Sequence, residues 1–179
     1  MKVFVIGITG LLGLPATRLL LQRGFEVRGI ARTRPEVHGS LVPNIEVGDI
    51  AILPDESVLE LLTGSEALIY AIGADERVAH PAPAYPFFRK ENVDDCVRVV
   101  RLARKARVRR LILLGSYFVH FNRVWPELRL SEHHPYIRSR VEQESEVMEV
   151  AGTQMTVTIL ELPYIFGTMP GRTPIWSFL

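Results

Sequence analysis

Gly7, Gly10 and Gly13 recur at intervals of three in Gly7-Ile8-Thr9-Gly10-Leu11-Leu12-Gly13, where an apolar run gives way to an amphipathic one. That spacing suits a backbone that must approach phosphate oxygens. Gly7 would end a strand and permit a tight turn, Gly10 would clear a side chain from the approach, and Gly13 would let the following helix pack closely. The exposed amides around Thr9, Leu11 and Leu12, with the positive end of the helix, would hold a pyrophosphate. A bare glycine spacing is a weak signal, but here it follows a strand and opens a helix, which is the context a dinucleotide site needs.

The end of the second strand bears on which dinucleotide. A carboxylate there would bind both ribose hydroxyls of NAD. The segment instead reads Gly29-Ile30-Ala31-Arg32-Thr33-Arg34, with no acid before Glu36. Guanidinium groups match a 2′-phosphate by charge and by their bidentate fork, so NADP is expected, held by Arg32 first and Arg34 second. NAD is the alternative cofactor, with the two arginines then a solvated loop pair.

The elements that must position these residues alternate along nearly the whole chain. Strands are expected at 2–6, 26–31, 44–47, 66–71, 110–114 and 156–160, and helices at 11–23, 55–62, 91–105 and 135–150. Gly24 ends the first helix as a C-terminal cap, Asp55 caps the second, and Pro135 suits the first turn of the last. Residues 32–43 form a polar, proline-bearing connection. Such alternation implies right-handed βαβ units and an α/β fold: a doubly wound parallel sheet in three αβα layers. The glycine turn makes it a Rossmann fold with strand order 3-2-1-4-5-6.

The chain has 179 residues, of which 47% are hydrophobic and 23% charged, as expected for one folded domain. A net charge of +1 gives no general pull toward nucleic acid or a membrane surface, and no apolar run approaches the length of a membrane span. Met1-Lys2-Val3-Phe4 enters a strand at once, with no secretory signal, so a cytoplasmic protein is expected. Cys96 is the single cysteine, expected to be a small buried helix residue with no disulfide.

These residues resemble the short-chain dehydrogenase/reductase superfamily, in its extended or atypical branch of NAD-dependent epimerase/dehydratase-like proteins. The glycine turn is similar to that family's TGxxGxxG, with Ile6 in place of the leading threonine. Gly48-Asp49-Ile50 resembles its third-strand end, which implies that Asp49 and Ile50 contact adenine. Ala71-Ile72-Gly73 resembles the segment that passes the cofactor's ribose and pyrophosphate. Asn92-Val93 is similar to the asparagine-valine whose asparagine helps organise the active site. Leu162-Pro163-Tyr164-Ile165-Phe166-Gly167 resembles the loop beside the nicotinamide, which implicates Pro163 and Tyr164.

The resemblance places the chemistry at Tyr136-Ile137-Arg138-Ser139-Arg140, which stands where the family has YxxxK. Residues four apart share a helix face, so Tyr136 and Arg140 would point together into the crevice. The usual lysine binds the nicotinamide ribose and lowers the tyrosine pKa, so that the phenol exchanges a proton near neutrality. Arg140 keeps the charge and the donors, but it is bulkier and cannot release a proton. Leu113-Leu114-Gly115-Ser116 is similar to the fifth strand that ends in serines. Ser116 is either a substrate-orienting hydroxyl or a strand-end turn residue, and an offset of one would put Tyr117 in its place.

Other features carry less. His120, His133 and His134 lack metal-site spacing, and no metal is expected. Arg101, Arg104, Lys105, Arg107, Arg109 and Arg110 have no aromatic platform or reading helix beside them, so they are expected to be a solvated helix end, with no nucleic-acid partner. The segment 117–134 would cover the substrate pocket, with Trp125 either in that cover or in the core. The apolar end, with Ile175, Trp176, Phe178 and Leu179, either docks or marks a chain whose substrate-binding portion is truncated. Taken together, the expectation is an NADP-dependent oxidoreductase or epimerase-like protein with a small-molecule carbonyl or alcohol substrate. The alternative is a cofactor-binding regulatory or redox-sensor protein without turnover. Pairing into a homodimer is implied by the resemblance alone, and no membrane partner is expected.

Overall fold

In the computed structural model the expected apolar runs become six strands. The structure describes residues 1–33, 44–75 and 79–166; Arg34, most of the 32–43 connection, Gly167 and the apolar end lie outside the described residues. In order, the elements are β1 (Lys2–Ile6), α1 (Gly13–Gln22), β2 (Glu26–Ala31), β3 (Ile45–Val47), α2 (Asp55–Leu62), β4 (Ala67–Tyr70) and α3 (Ala84–Phe88). A π-helical turn (Arg89–Asp94) then leads into α4 (Asp95–Lys105), β5 (Arg110–Ser116), α5 (Tyr117–Val124), α6 (Leu130–His133), α7 (Pro135–Ala151) and β6 (Thr156–Leu162).

The sheet order is β3-β2-β1-β4-β5-β6, the order expected, and every pairing is parallel. Parallel strands must be joined by crossovers, and those crossovers cover the faces. One face packs Phe4, Ile6, Leu68, Tyr70, Leu111 and Leu113 against α2, α4 and α7. The other packs Val3, Val5, Val27 and Ile69 against Leu14 of α1. Successive strand residues point to opposite faces, so β1 and β4 are buried on both sides and read as unbroken apolar runs. Because all strands run the same way, their C-terminal ends share one edge. The order reverses between β1 and β4, where the crossovers leave to opposite sides and open a crevice.

Local detail follows the sequence in part. At the end of α1, Gly24 N–H donates to Leu21 O at 3.0 Å and Phe25 N–H to Leu20 O at 3.1 Å, closing the helix as its glycine implies. Asp55 differs from its expected role. It is the first residue of α2 rather than its cap, no side chain caps that helix, and its carboxylate instead accepts from Arg98 Nε at 2.6 Å. Strand β5 runs two residues beyond the expected end, because Gly115 and Ser116 pair with Glu161 and Leu162 of a longer β6. The connection 117–134 is mostly helical, with α5, a short 3₁₀ turn and α6.

Candidate functional site

The glycine turn sits at the crevice between β1 and β4. Gly7 N–H donates to Ile30 O at 3.0 Å, Gly10 N–H to Gly7 O at 2.8 Å, and Leu14 N–H to Gly10 O at 3.0 Å. Gly7 has φ +80°, and a Cβ there would lie 2.6 Å from Ile72 Cγ2 and 2.7 Å from Ala71 O. The turn and the segment after β4 therefore fit against each other only while Gly7 is bare. At Gly13 a Cβ would overlap Gly7 O, so the start of α1 can press onto the turn only as glycine. The amides of Leu11, Leu12 and Gly13 meet no backbone acceptor among the described residues. They stand at the positive end of α1, ready for an anion.

Arg32 follows β2 directly and is exposed. The adjoining turn after β3 is held by Gly48 N–H donating to Ala31 O at 3.0 Å. Asp49 Oδ1 accepts the Ala51 N–H at 3.0 Å, and Ile50 is buried. Arg98 of α4 reaches this turn, donating to Ile50 O at 3.1 Å and also to Leu53 O. Nothing in the sequence pointed to Arg98, whose partners lie over forty residues away.

Tyr136, Arg140 and Asn92 come together on the other side of the crevice. Asn92 is fully buried in the π-helical turn, and both ends of its amide are used. Its Oδ1 accepts the Ala74 N–H at 2.8 Å, and its Nδ2 donates to Ser139 Oγ at 3.0 Å. Ser139 Oγ donates in turn to Tyr136 O at 2.7 Å, so the loop after β4, the π turn and the first turn of α7 are one unit. Arg140 is 7% exposed, and its Cζ lies 5.4 Å from the Tyr136 ring centroid. A Cβ on Gly73 would sit 2.8 Å from Arg140 Nη2 and 3.1 Å from Nη1, so the guanidinium occupies the space that this glycine leaves.

The Arg140 charge is only partly satisfied. Nη1 donates to Gln143 Oε1 at 2.8 Å, while Arg140 Nε and Gln143 Nε2 are buried without partners among the described residues. Beneath lie Tyr70 and Cys96, both fully buried. Burial pushes the Tyr70 phenol well above its ordinary value, with Cys96 and Asp95 adding and Arg140 opposing. Burial likewise pushes the Cys96 thiol up to about 12, with neighbouring Gln143 and Arg140 opposing. Cys96 is thus the inert core residue expected. One helical turn beyond Arg140, Glu144 is half-buried, and its Oε1 has no partner among the described residues and would lie 3.0 Å from a Cβ on Gly115. Burial raises its carboxyl to about 7; Glu161 adds to this, and Arg123 and Arg140 work against it. Nothing in the sequence singles out Glu144, which looks like one more surface acid in a charged helix.

Ser116 is buried at the end of β5, and its Oγ accepts the Phe118 N–H at 3.4 Å at the start of α5. That contact joins the strand end to α5. Beyond it the rings of Phe118 and Tyr136 meet edge to face at 6.2 Å, and Tyr117 meets Tyr164 at 5.4 Å. The loop after β6, with Pro163 and Tyr164 both exposed, thus meets the start of α5. Trp125 is 44% exposed and stacked on Phe121, outside the core. The histidines stay apart, and among the described residues no group of His, Cys, Asp and Glu could hold a metal. No helix among them is long and apolar enough to cross a membrane.

The family model described as NAD(P)H-binding matches residues 7–173. No curated protein matches the chain. Among solved structures, a short-chain dehydrogenase/reductase superfamily protein from Agrobacterium tumefaciens with bound NAD is 22% identical, with TM-score 0.67 over 89% of this chain and 48% of its own. A putative NAD-dependent epimerase/dehydratase from Bacillus halodurans is 16% identical, with TM-score 0.67 over 89% of this chain and 68% of its own. The UDP-glucose 4-epimerase of Bifidobacterium longum, in complex with NAD+ and UDP, is 17% identical, with TM-score 0.69 over 89% and 52%. At these identities the likeness is one of fold. The chain spans about half the length of the Agrobacterium and Bifidobacterium proteins.

Proposed function

The chain belongs to the NAD(P)H-binding family, and from that premise we propose an NADP-dependent oxidoreductase or epimerase/dehydratase that acts on a small carbonyl or alcohol compound. Residues 1–179 are read as its dinucleotide-binding domain. The observation that carries the reading is the Arg140 guanidinium, buried against Gly73 with donors to spare and its Cζ 5.4 Å from the Tyr136 ring. Among the described residues no carboxylate forms an ion pair with this buried cation, and a ligand oxygen placed there would relieve the cost of its burial.

The residues present fit a dinucleotide. The amides of Leu11, Leu12 and Gly13 would hold the pyrophosphate, with Thr9 and Gly10 leaving the approach open. Arg32, and Arg34 with it, would take a 2′-phosphate. The Asp49-Ile50 turn would border the adenine, and Ala71, Ile72 and Gly73 the ribose and pyrophosphate. Arg140 would donate to the nicotinamide ribose, and Pro163 and Tyr164 would border the nicotinamide. Asn92 acts through others, fixing the loop after β4 and the start of α7.

A bound nicotinamide supplies or accepts a hydride at the substrate carbon. The Tyr136 hydroxyl gives a proton to the substrate oxygen in the reducing direction and takes it back in the oxidising one, with the Arg140 guanidinium held beside its ring. Ser116 would orient the substrate oxygen where its turn contact allows. The second reading, a cofactor-binding regulator or redox sensor without turnover, is favoured by one observation: an arginine stands where a lysine would take part in proton transfer.

Titration of NADPH and NADH, with Tyr136→Phe and Arg32→Ala beside the parent chain, tests the proposal. Tyr136→Phe is expected to abolish NADPH-dependent turnover and leave the affinity for cofactor intact. Arg32→Ala is expected to weaken NADPH by roughly tenfold or more, the worth of a charged hydrogen bond, and to leave NADH unchanged. A preference for NADH insensitive to Arg32→Ala sinks the NADP assignment. Micromolar cofactor binding with no turnover on aldehyde, ketone or nucleotide-sugar panels selects the sensor.

A further inference from the structure

Beyond Tyr136, away from the Asn92 side, a line of rings leads out to solvent. The Tyr136 ring meets Phe118 at 6.2 Å, and Phe118 meets Tyr117 at 4.5 Å. Tyr117 meets Phe121 at 4.9 Å and Tyr164 at 5.4 Å, and Phe121 stacks on Trp125 at 4.6 Å with ring planes 21° apart. Tyr117, Phe121 and Trp125 stand at intervals of four along α5 and its end, so one helix face writes the ladder. Its outer rings are partly exposed, Trp125 by 44% and Tyr164 by 45%. Large rings left this accessible beside a reactive phenol form a contact surface.

Away from Arg140, the arginines of this part of the chain are already paired with carboxylates. Arg123 gives Nη2 to both oxygens of Glu161, at 2.9 and 3.0 Å. Arg129 is held by Glu132, and Arg138 donates to Glu142 at 2.8 Å. All three arginines between positions 123 and 138 are therefore neutralised by carboxylates of this chain. A diphosphate brought here would meet paired cations and the acids that pair them, and would have to break those contacts to be bound. An uncharged ring system meets no such cost and can pack on the exposed rings at the outer end of the ladder.

We propose that the site binds an uncharged, planar aromatic carbonyl compound, its ring system lying along the Phe118–Tyr117–Phe121–Trp125 ladder and its oxygen toward Tyr136, and that it does not take nucleotide-linked sugars. This rests on the reading of Tyr136 as the proton-exchanging group.

Calorimetric titration of 1-acetonaphthone, cyclohexyl methyl ketone and UDP-glucose, each with and without saturating NADPH, tests it. The aryl ketone is expected to bind at least about tenfold tighter than the saturated ketone, and UDP-glucose to show no saturable binding. Phe121→Ala and Trp125→Ala are each expected to weaken the aryl ketone by about three- to tenfold, one ring contact each, with the NADPH affinity unchanged. Equal affinities for the two ketones, or saturable UDP-glucose binding, overturn the inference. So do Phe121→Ala and Trp125→Ala variants that melt early yet bind the aryl ketone as before, since the ladder is then a seat for the chain itself. Absence of NADPH binding overturns the cofactor reading instead, and the titrations without cofactor still report on the ladder.

Discussion

Glu144→Gln tests whether the helix face that carries Tyr136 and Arg140 continues into a buried acid. In the folded chain the Glu144 carboxyl stands at about 7 against an ordinary 4.5, with burial the main cause and Glu161 the second. That difference converts at 1.36 kcal/mol per pH unit to about 3 kcal/mol, and half exposure to solvent lowers it to about 1–2 kcal/mol. A carboxyl raised on folding binds its proton more tightly in the native state than in the unfolded one. Its stabilising share is full below pH 4.5 and is lost as pH rises toward 7. Urea unfolding from pH 4 to 8 should therefore show the parent chain falling away from Glu144→Gln with rising pH. The two should match near pH 4, and the glutamine variant should be about 1–2 kcal/mol more stable at pH 8. Removing the nearby cation with Arg140→Met should steepen the parent's fall, because Arg140 now holds the Glu144 value down. Curves for parent and Glu144→Gln that run parallel across this range would refute the buried-acid account.

Gly13→Ala puts a Cβ into Gly7 O and should displace α1, costing about 1–3 kcal/mol in thermal unfolding and at least about tenfold in NADPH affinity. An alanine variant that binds NADPH normally would mean that the turn does not hold the pyrophosphate. Asn92→Ala strands the Ala74 N–H and removes the donor to Ser139 Oγ, both buried, so a loss of about 2–4 kcal/mol is expected in denaturant unfolding. A loss within experimental error would show that Ala74 and Ser139 find other partners. Tyr70→Phe removes a buried hydroxyl without a partner among the described residues and should be neutral or stabilising by about 1 kcal/mol. Destabilisation would indicate that a buried water serves that hydroxyl.

What could be read beforehand was what is local. The buried runs of β1 and β2 and the helix 55–62 stand where apolar spacing put them, because each reports its own periodicity. The glycine turn was legible in part for the same reason: Gly10 and Gly13 answer first to Gly7 O close by in the chain, whereas Gly7 itself fits against the distant Ala71 and Ile72. The parts that escaped depend on distant partners. Asp55 had the residue type of a cap, but Arg98 draws its carboxylate away. Gly115 and Ser116 looked like the turn after a strand, and only pairing with β6 extends the strand through them. The run Tyr117-Phe118-Val119-His120-Phe121 is rich in residues that favour strands, yet it folds as α5 once Ser116 caps it. The π turn was invisible because one residue of extra winding leaves the apolar pattern of a helix nearly intact.

The arginine at position 140 makes physical sense only with its surroundings. A lysine there would reach the same region as a single point charge, with four carbons of flexible stem and no planar face. The guanidinium spends one edge on Gln143 and lays another where Gly73 has no side chain. Its centre also lies over the Tyr136 ring at 5.4 Å, so the cation is held against the phenol by its faces as well as its edges. That environment fixes the position of the charge at the cost of its mobility. Gripping a ribose needs a fixed charge, whereas relaying a proton needs a group that can give one up. The same contacts that make Arg140 a good anchor for a cofactor therefore leave Tyr136 to exchange its proton with solvent or substrate unaided. Turnover limited by that exchange should slow when the buffer is diluted, while NADPH affinity stays constant.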